Sequence, residues 1–143
     1  MGTLNSAIEL HDSKVEAITN LNGTIVVRFS SAYLHRSEGS PGVDAGTGWT
    51  QAVEMLFESA QISGRAPEFP CEIWNGEFAV EGRGQQGLIS IPVCECSEGE
   101  LNLQFDEIHS VCIRGKQPKL ILLGSPRFIE NFPGANNASA QQE

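Results

Sequence analysis

Asn22-Gly23 stands between two runs rich in apolar and β-branched residues, 15–21 and 24–30, and this arrangement narrows the possible folds most. Asn-Gly supplies the two positive-φ residues of a tight type I′ turn, whose twist matches that of paired antiparallel strands. Alternate apolar residues of the second run share one face of a strand: Ile25, Val27 and Phe29. The sequence therefore predicts a β-hairpin here.

The first arm of this hairpin also fits a helix. Ser13 followed by Glu16 matches a capping box, and Val15 and Ile18 have helical spacing. The Asn-Gly turn favours the strand, and a β-bulge near Ala17 would reconcile the apolar spacing with it.

Further short β-type runs follow along the chain, each bounded by turn residues. They are residues 51–61, a second Asn-Gly hairpin with arms 72–74 and 77–81 around Asn75-Gly76, and residues 88–96, 101–105, 108–113 and 119–123. Residues 51–61 also allow a short helix, because Leu56 interrupts the alternation, but the period-two spacing of Val53, Met55 and Phe57 favours a strand. Residues 37–48 and 82–87 are predicted loops because they are rich in glycine. We expect the core to contain Ile25, Val27, Phe29, Ile89, Ile91, Leu103, Phe105 and Val111.

These runs predict the fold class. About eight strands at short spacing are typical of an all-β protein, either an antiparallel sandwich or a closed barrel, with little helix. Residues 1–134 form a single β-rich domain in this interpretation. The polar segment 135–143 shows no periodicity and is predicted to be a disordered tail.

Charge narrows the class of partner. The 143 residues carry a formal net charge of −9, and their nine lysines and arginines are scattered. Such a surface repels phosphate, which argues against nucleic acid and anionic membranes, and it attracts a basic protein. We expect a cytoplasmic protein, since we find neither a signal peptide nor an apolar run long enough to cross a bilayer. Unpaired edge strands would allow a homodimer.

The four cysteines are expected to be reduced thiols in that compartment. Cys94 and Cys96, with Cys71, Cys112 and His109, could in principle complete a tetrahedral zinc site. However, the i,i+2 spacing differs from the Cys-x₂-Cys knuckle, and no second pair repeats it. The sequence therefore predicts neither a metal nor a cofactor.

Two clusters of polar residues are candidates for a binding site. Tyr33, His35 and Arg36 precede the glycine-rich loop, and this trio could bind an anion or transfer protons. His11-Asp12-Ser13 holds three catalytic residue types in a row, but neighbours on a strand point to opposite faces and cannot form a relay among themselves. The oxygens of Asp12 and Ser13 are also suited to accept local backbone N–H bonds. No catalytic residue is assigned.

The predicted hairpin brings these clusters together. Counting outward from the Asn22-Gly23 turn, residues 11–13 and 33–36 meet at its open end, within the uncertainty of one bulge. Asp44, in the adjoining loop, is the remaining candidate binding residue. The candidate site thus consists of His11, Asp12, Tyr33, His35, Arg36 and Asp44.

The opening Leu10-His11-Asp12-Ser13, the hairpin, and Ala32-Tyr33-Leu34-His35-Arg36 resemble a group of small uncharacterised bacterial β-domains that begin with a His-Asp-Ser motif. Some relatives of that group resemble immunity proteins of bacterial toxin systems. The resemblance covers about the first third of the chain. It implies an all-β fold and a bacterial cytoplasmic setting, and it implies no catalytic role for any residue.

The sequence thus favours a non-enzymatic binding domain, in its sharpest form an acidic, immunity-like inhibitor of a basic protein. The alternative is a small-ligand-binding β-barrel, or an enzyme, that uses His11, Tyr33, His35 and Arg36.

Overall fold

The computed structural model describes residues 5–91, Val93 and residues 97–134. This part of the chain folds into nine β-strands and contains no helix, so no helix in it is long and apolar enough to cross a membrane. The strands are β1 (Asn5–Leu21), β2 (Thr24–Ser37), β3 (Gly46–Arg65), β4 (Cys71–Glu72), β5 (Asn75–Val80), β6 (Arg83–Gln86), β7 (Leu88–Ile91), β8 (Glu98–Gln104) and β9 (Ser110–Phe132). The predicted all-β class is confirmed.

The strands form one antiparallel sheet in the order β4-β1-β2-β3-β9-β8-β5-β6, with β7 also paired to β1. The sheet curls so that its ends approach each other. Single backbone bonds cross the remaining gap, from Leu10 N to Gly87 O at 2.8 Å and from Gly87 N to Gly76 O at 2.9 Å. The result is a half-barrel joined by isolated bonds, so the predicted barrel or sandwich is confirmed only in part.

The first hairpin is confirmed. Leu21 pairs with Thr24, and the turn residues Asn22 and Gly23 have φ of 54° and 94°. The first arm is a strand, and a register shift between Val15 and Ala17 supplies the bulge that the apolar spacing requires.

The prediction of a second Asn-Gly hairpin is wrong. Asn75 and Gly76 lie inside the sheet at the start of β5 and pair with Gln104 and Leu103. A Cβ on Gly76 would stand 2.8 Å from Leu10 Cδ1, so this glycine is required for close packing across the sheet. The turn is instead made by Glu81-Gly82, with φ of 53° and 76°, and the predicted loop 82–87 contains β6.

Two other boundaries were also misplaced. β2 continues to Ser37 and β3 begins at Gly46, so the predicted loop 37–48 shrinks to residues 38–45. Residues 110–113 of the first predicted strand and all of 119–123 belong to one 23-residue strand, β9, whereas residues 108 and 109 precede it in a turn. Part of the predicted strand 88–96 and the tail 135–143 fall outside the described residues.

The concave face of the sheet encloses the core. Seven of the eight residues predicted for it are buried, and Ile91 is half-buried and packed against it. The largest fully buried side chains are Phe29, Phe57, Ile8, Leu10, Ile25, Leu34, Met55, Ile73, Ile89, Leu101, Leu103 and Ile113.

In the part of the chain that the structure describes, the second half of β9 has a strand partner on one side only and so forms an edge of the sheet. It pairs with β8 over residues 110–116, and Leu120 N donates to Val93 O. Over residues 121–132, within the described chain, its strand partner is β3 alone. A bulge at Gly124 interrupts this edge, and the Gln51 amide donates to the carbonyls of Leu123 and Gly124 there.

Replacing Phe29 with alanine should destabilise the fold by about 3–5 kcal/mol, because the fully buried ring leaves a cavity in the half-barrel. Chemical denaturation measures this. Leu21→Ala is the control, since Leu21 is 64% exposed and its loss should change the free energy of unfolding by no more than about 0.5 kcal/mol. Equal effects of the two substitutions would contradict the assigned face.

Candidate functional site

A wide bulge in β1 holds the His-Asp-Ser sequence. Glu9 pairs with Tyr33 and Lys14 pairs with Ser31, so four residues of β1 stand opposite Ala32 alone. The Ser13 hydroxyl fills the gap in the ladder: it donates to Glu9 O at 2.7 Å and accepts from Tyr33 N at 3.0 Å. Ser13 is buried, and both of its bonds are to backbone, so its role here is structural.

The bulge changes which residues face the core. In β1, Val15 faces the core on one side of the bulge, and Ile8 and Leu10 face it on the other. β2 makes the same change, from Phe29 to Leu34. Tyr33 and His35 are therefore turned to the outer, convex face, yet both are buried there.

His35 is held on three sides. Its Nε2–H donates to Glu9 Oε1 at 2.7 Å, and its ring centroid lies 4.9 Å from that of Tyr33 and 5.0 Å from that of Phe132. The loop 38–45 adds a cover, since a Cβ on Gly42 would stand 3.5 Å from His35 Cδ2. His35 is 3% exposed, and its Nδ1 has no partner among the described residues.

Tyr33 spans three strands. Its ring crosses Gly48 in β3, where a Cβ would overlap the phenol oxygen, and its hydroxyl donates to Glu130 Oε2 in β9 at 2.5 Å. Burial is the largest cause that raises the pKa of Tyr33, and the hydrogen bond to Glu130 is the second largest. Tyr33 therefore stays protonated and ties β2 to β9.

Glu9 and Asp12 are hydrogen-bonded to each other, and their pKa values move in opposite directions. The hydrogen bond from His35 is the main cause that lowers the pKa of Glu9 to about 2, whereas the bond to Glu9 is the main cause that raises the pKa of Asp12 to about 6. Glu9 is thus the carboxylate and Asp12 is the group that protonates. A carboxyl group that titrates near pH 6 can hold or release a proton under mild conditions.

The other predicted site residues lie around this pair or away from it. His11 is exposed and donates from Nδ1 to Trp74 O at 2.7 Å, and this bond is the main cause that raises its pKa. The charges of His11 and His35 both act on Asp12 and oppose the rise of its pKa, so both histidines lie within electrostatic reach of this carboxyl. Arg36 is apart, with its guanidinium 4.9 Å from the Trp49 ring centroid.

Asp44 has a local role. Its carboxylate accepts a hydrogen bond from Ser40 N at 2.7 Å and fixes the loop 38–45. Among the described residues, no hydrogen bond joins Asp44 to Glu9 or Asp12. Glu9 and Glu130, in contrast, contact the predicted residues and were missed by sequence reasoning. Glu9 had a usable signal, because it lies three residues before Asp12 on the same arm of the hairpin.

The thiols do not assemble a site in the described residues. Cys71 and Cys112 are free, burial raises the pKa of both, and no group of three His, Cys, Asp or Glu side chains there could hold a metal ion. Cys94 and Cys96 lie outside the described residues.

A polar groove of about 520 Å³ crosses the convex face of four strands, β3, β9, β8 and β5. One row across its floor follows the strand register: Ser63, Cys112, Asn102 and Glu77. Asn75, Gln104 and Ser110 also line it. None of the described lining residues belongs to the Glu9–Asp12 cluster.

Next to the groove residues Asn75 and Gln104, two segments carry exposed apolar side chains and carboxylates, of which Asp106 also contacts His109 Nδ1 at 2.9 Å. Trp74 is 53% exposed, and Ile108, in the turn between β8 and β9, is 63% exposed. Asp106 shapes this turn by accepting from the Ile108 and His109 backbone N–H groups, both at less than 3 Å. Together with Glu72 and Glu107, these residues form what we term the acidic end: Glu72, Trp74, Asp106, Glu107 and Ile108.

Comparison with protein-family models, with curated proteins and with solved structures finds no match to this chain.

Ser13→Ala should destabilise the protein by about 1–3 kcal/mol, because it leaves the buried Tyr33 N–H without its acceptor. Ser30→Ala, at an exposed position of β2, is the control and should change stability little. Urea denaturation of both variants gives the comparison. A neutral Ser13→Ala would mean that the bulge does not depend on this hydroxyl.

Asp12→Asn should stabilise the protein above pH 6 and have little effect near pH 4. The raised pKa of Asp12 means that its contribution to stability is complete below 3.8 and is lost as the pH rises through about 6. Asparagine keeps a donor for Glu9 at every pH. Melting temperatures of both proteins from pH 4 to pH 8 measure the effect, and a difference independent of pH would contradict the raised pKa of Asp12.

Proposed function

We propose that this chain is a non-enzymatic binding domain that recognises a basic protein through its acidic end. The arrangement that carries the proposal is an exposed tryptophan and an exposed isoleucine in two segments that also carry Glu72, Asp106 and Glu107. Trp74 N donates to the carbonyl of Gln104, a residue that lines the groove. Aromatic anchors surrounded by polar residues are typical of the energetic centres of protein interfaces. The carboxylates of the acidic end attract a positively charged partner and repel a negatively charged one.

The overall charge supports this choice of partner. A net charge of −9 draws a basic protein toward the surface and speeds its association at low salt. The acidic end adds local charge: after burial, the carboxylates of Asp106 and Glu72 are the next causes that raise the pKa of Cys71 in β4.

The contacts of the candidate catalytic residues support a non-enzymatic role. The Ser13 hydroxyl, the His35 Nε2 and the Tyr33 hydroxyl are all engaged in bonds within the protein. These bonds hold the bulge of β1 and join neighbouring strands, and breaking any of them for catalysis would cost stability. The described interior of the half-barrel is filled by the hydrophobic core, which disfavours a ligand inside it.

In its sharpest form, the proposal is that the domain is an immunity-like inhibitor of a basic toxin in the bacterial cytoplasm. Its support is the acidic end together with the resemblance of the His11-Asp12-Ser13 opening to domains of such systems.

The test is to mix the purified chain with the basic proteins encoded beside its gene and to measure complex formation by calorimetry at low and high salt. We expect a complex that weakens with salt, and Trp74→Ala should lower the affinity by about tenfold or more, as at an interface hot spot. Leu21→Ala, at an exposed apolar position in the distant β1–β2 turn, is the control. The absence of a complex with every cognate neighbour would contradict the proposal.

A small-ligand or acid–base site at His11, Tyr33, His35 and Arg36 is the second candidate function. One observation favours it: Asp12 titrates near pH 6 beside the exposed His11. Small molecules that shift the NMR signals of the His11 and His35 rings together would support this function, and shifts confined to His11 would argue against it.

A further inference from the structure

We infer that the polar groove receives an extended segment of the basic partner and binds an arginine side chain of that segment on Glu77. This inference rests on the proposed function, because it identifies the chemical group that the groove takes. It extends recognition from the acidic end onto the face of β3, β9, β8 and β5.

The length of the groove fits a short extended segment. Four neighbouring strands lie about 4.8 Å apart, so the floor from Ser63 to Glu77 spans about 14 Å. About four residues in an extended conformation cover that distance. The volume of about 520 Å³ lies in the range of sites that hold small ligands, roughly 300–1,000 Å³.

The charge of the groove fits a cation. Glu77 is the ionisable carboxylate among its described lining residues, and none of those residues is basic. Arg114, at the neighbouring rim, is held by Glu100 at 2.6 Å, and Glu100 also accepts from Cys112 at 3.4 Å. This pair cancels its own charge, and Glu77 is the ionised side chain among the described residues that line the groove.

The polar groups of the floor fit an extended peptide. The Asn102 amide nitrogen is directed to Glu100 at 3.5 Å, which leaves its Oδ1 as an acceptor. The Asn75 Oδ1 already accepts from Gly76 N at 2.9 Å, which leaves its NH₂ as a donor. Gln104 offers both. A peptide carries both carbonyl acceptors and N–H donors, and a guanidinium supplies further donors in a planar fork that matches a carboxylate.

Glu77 is positioned for such a bond. A Cβ on Gly84 would lie 3.4 Å from Glu77 Cδ, so the side chain lies across a glycine of β6 at the margin of the groove. The residue itself is exposed, and its carboxylate can meet a cation without first being freed from an ion pair among the described residues.

The test uses an acetylated, amidated tetrapeptide, Gly-Arg-Gly-Gly, and the same peptide with the isosteric but neutral citrulline in place of arginine. NMR titration of the full chain should show shifts of groove amides, such as Gly64, Asn102 and Ser110, with the arginine peptide. The citrulline peptide should bind at least about tenfold more weakly, and so should the arginine peptide to Glu77→Gln. Glu38→Gln, which removes one exposed carboxylate from the distant loop 38–45, should bind like the wild type.

Equal binding of the two peptides, unaltered binding by Glu77→Gln, or no shift of groove signals would overturn the inference. Maltose is a further probe, and groove shifts with maltose alone would assign the site to sugar hydroxyls instead. Melting temperatures of Glu77→Gln and Glu38→Gln confirm that both variants are folded.

These outcomes separate the two proposals. If a basic protein binds the chain and Glu77→Gln leaves that complex intact, the groove inference fails and the proposed function stands. If the arginine peptide binds in the groove while no cognate basic protein binds, the proposed function fails and the groove assignment stands.

Discussion

The two hydrogen bonds of the Ser13 hydroxyl are the interaction on which the arrangement of this end of the molecule depends. An antiparallel ladder in which four residues oppose one would leave the Tyr33 N–H and the Glu9 carbonyl without partners, and the hydroxyl satisfies both. Because the bulge is stabilised in this way, β1 can change the face that it presents to the core within a few residues. A strand with period two has no other means of doing so.

The polar cluster on the convex face follows from that change of face. Tyr33 and His35 would point into the core if the alternation of Ile25, Val27 and Phe29 continued, and there their polar atoms would lack partners. Turned outward instead, they are covered by Phe132 and the loop 38–45, and they find Glu9 and Glu130 as partners. The convex face therefore has a small interior of its own, stabilised by charge-assisted bonds instead of aliphatic packing.

Local chemistry made part of the fold predictable. Asn22-Gly23 gave the correct hairpin because both residues adopt positive φ, a property of the dipeptide itself. Asn75-Gly76 has the same letters and gave an error, because Gly76 is selected by its contact with Leu10, a residue 66 positions away that no local pattern reveals. The single strand β9 was likewise divided in two, since its continuity depends on pairing with β3.

The candidate site shows the same division. The hairpin register placed residues 11–13 near residues 33–36, and the structure sets His11, Asp12, Tyr33 and His35 around Glu9. Arg36 and Asp44 were grouped with them by sequence proximity, but the structure gives them other partners, Trp49 and Ser40. Glu130 lies 97 positions from Tyr33, and only the sheet order brings it there. The groove is formed by four strands that are distant in sequence, so no local sequence motif predicts it.

The pairing of β3 with β9 also imposes an order on assembly. Arg65 and Ser110, at one end of this ladder, are separated by 45 positions, whereas Gly46 and Phe132, at the other end, are separated by 86. The chain entropy lost in closing a loop grows with its length, by about 0.6 kcal/mol for each doubling, so the ladder begins most cheaply at Arg65 and zips toward Gly46. The first hairpins can form within their own neighbourhoods, but the edge of β3 stays unpaired until β9 has been synthesised. High contact order of this kind is typical of domains that fold in milliseconds to seconds. Until β9 is available, the unpaired edge of β3 is the part of a nascent chain that is open to mispairing with other strands.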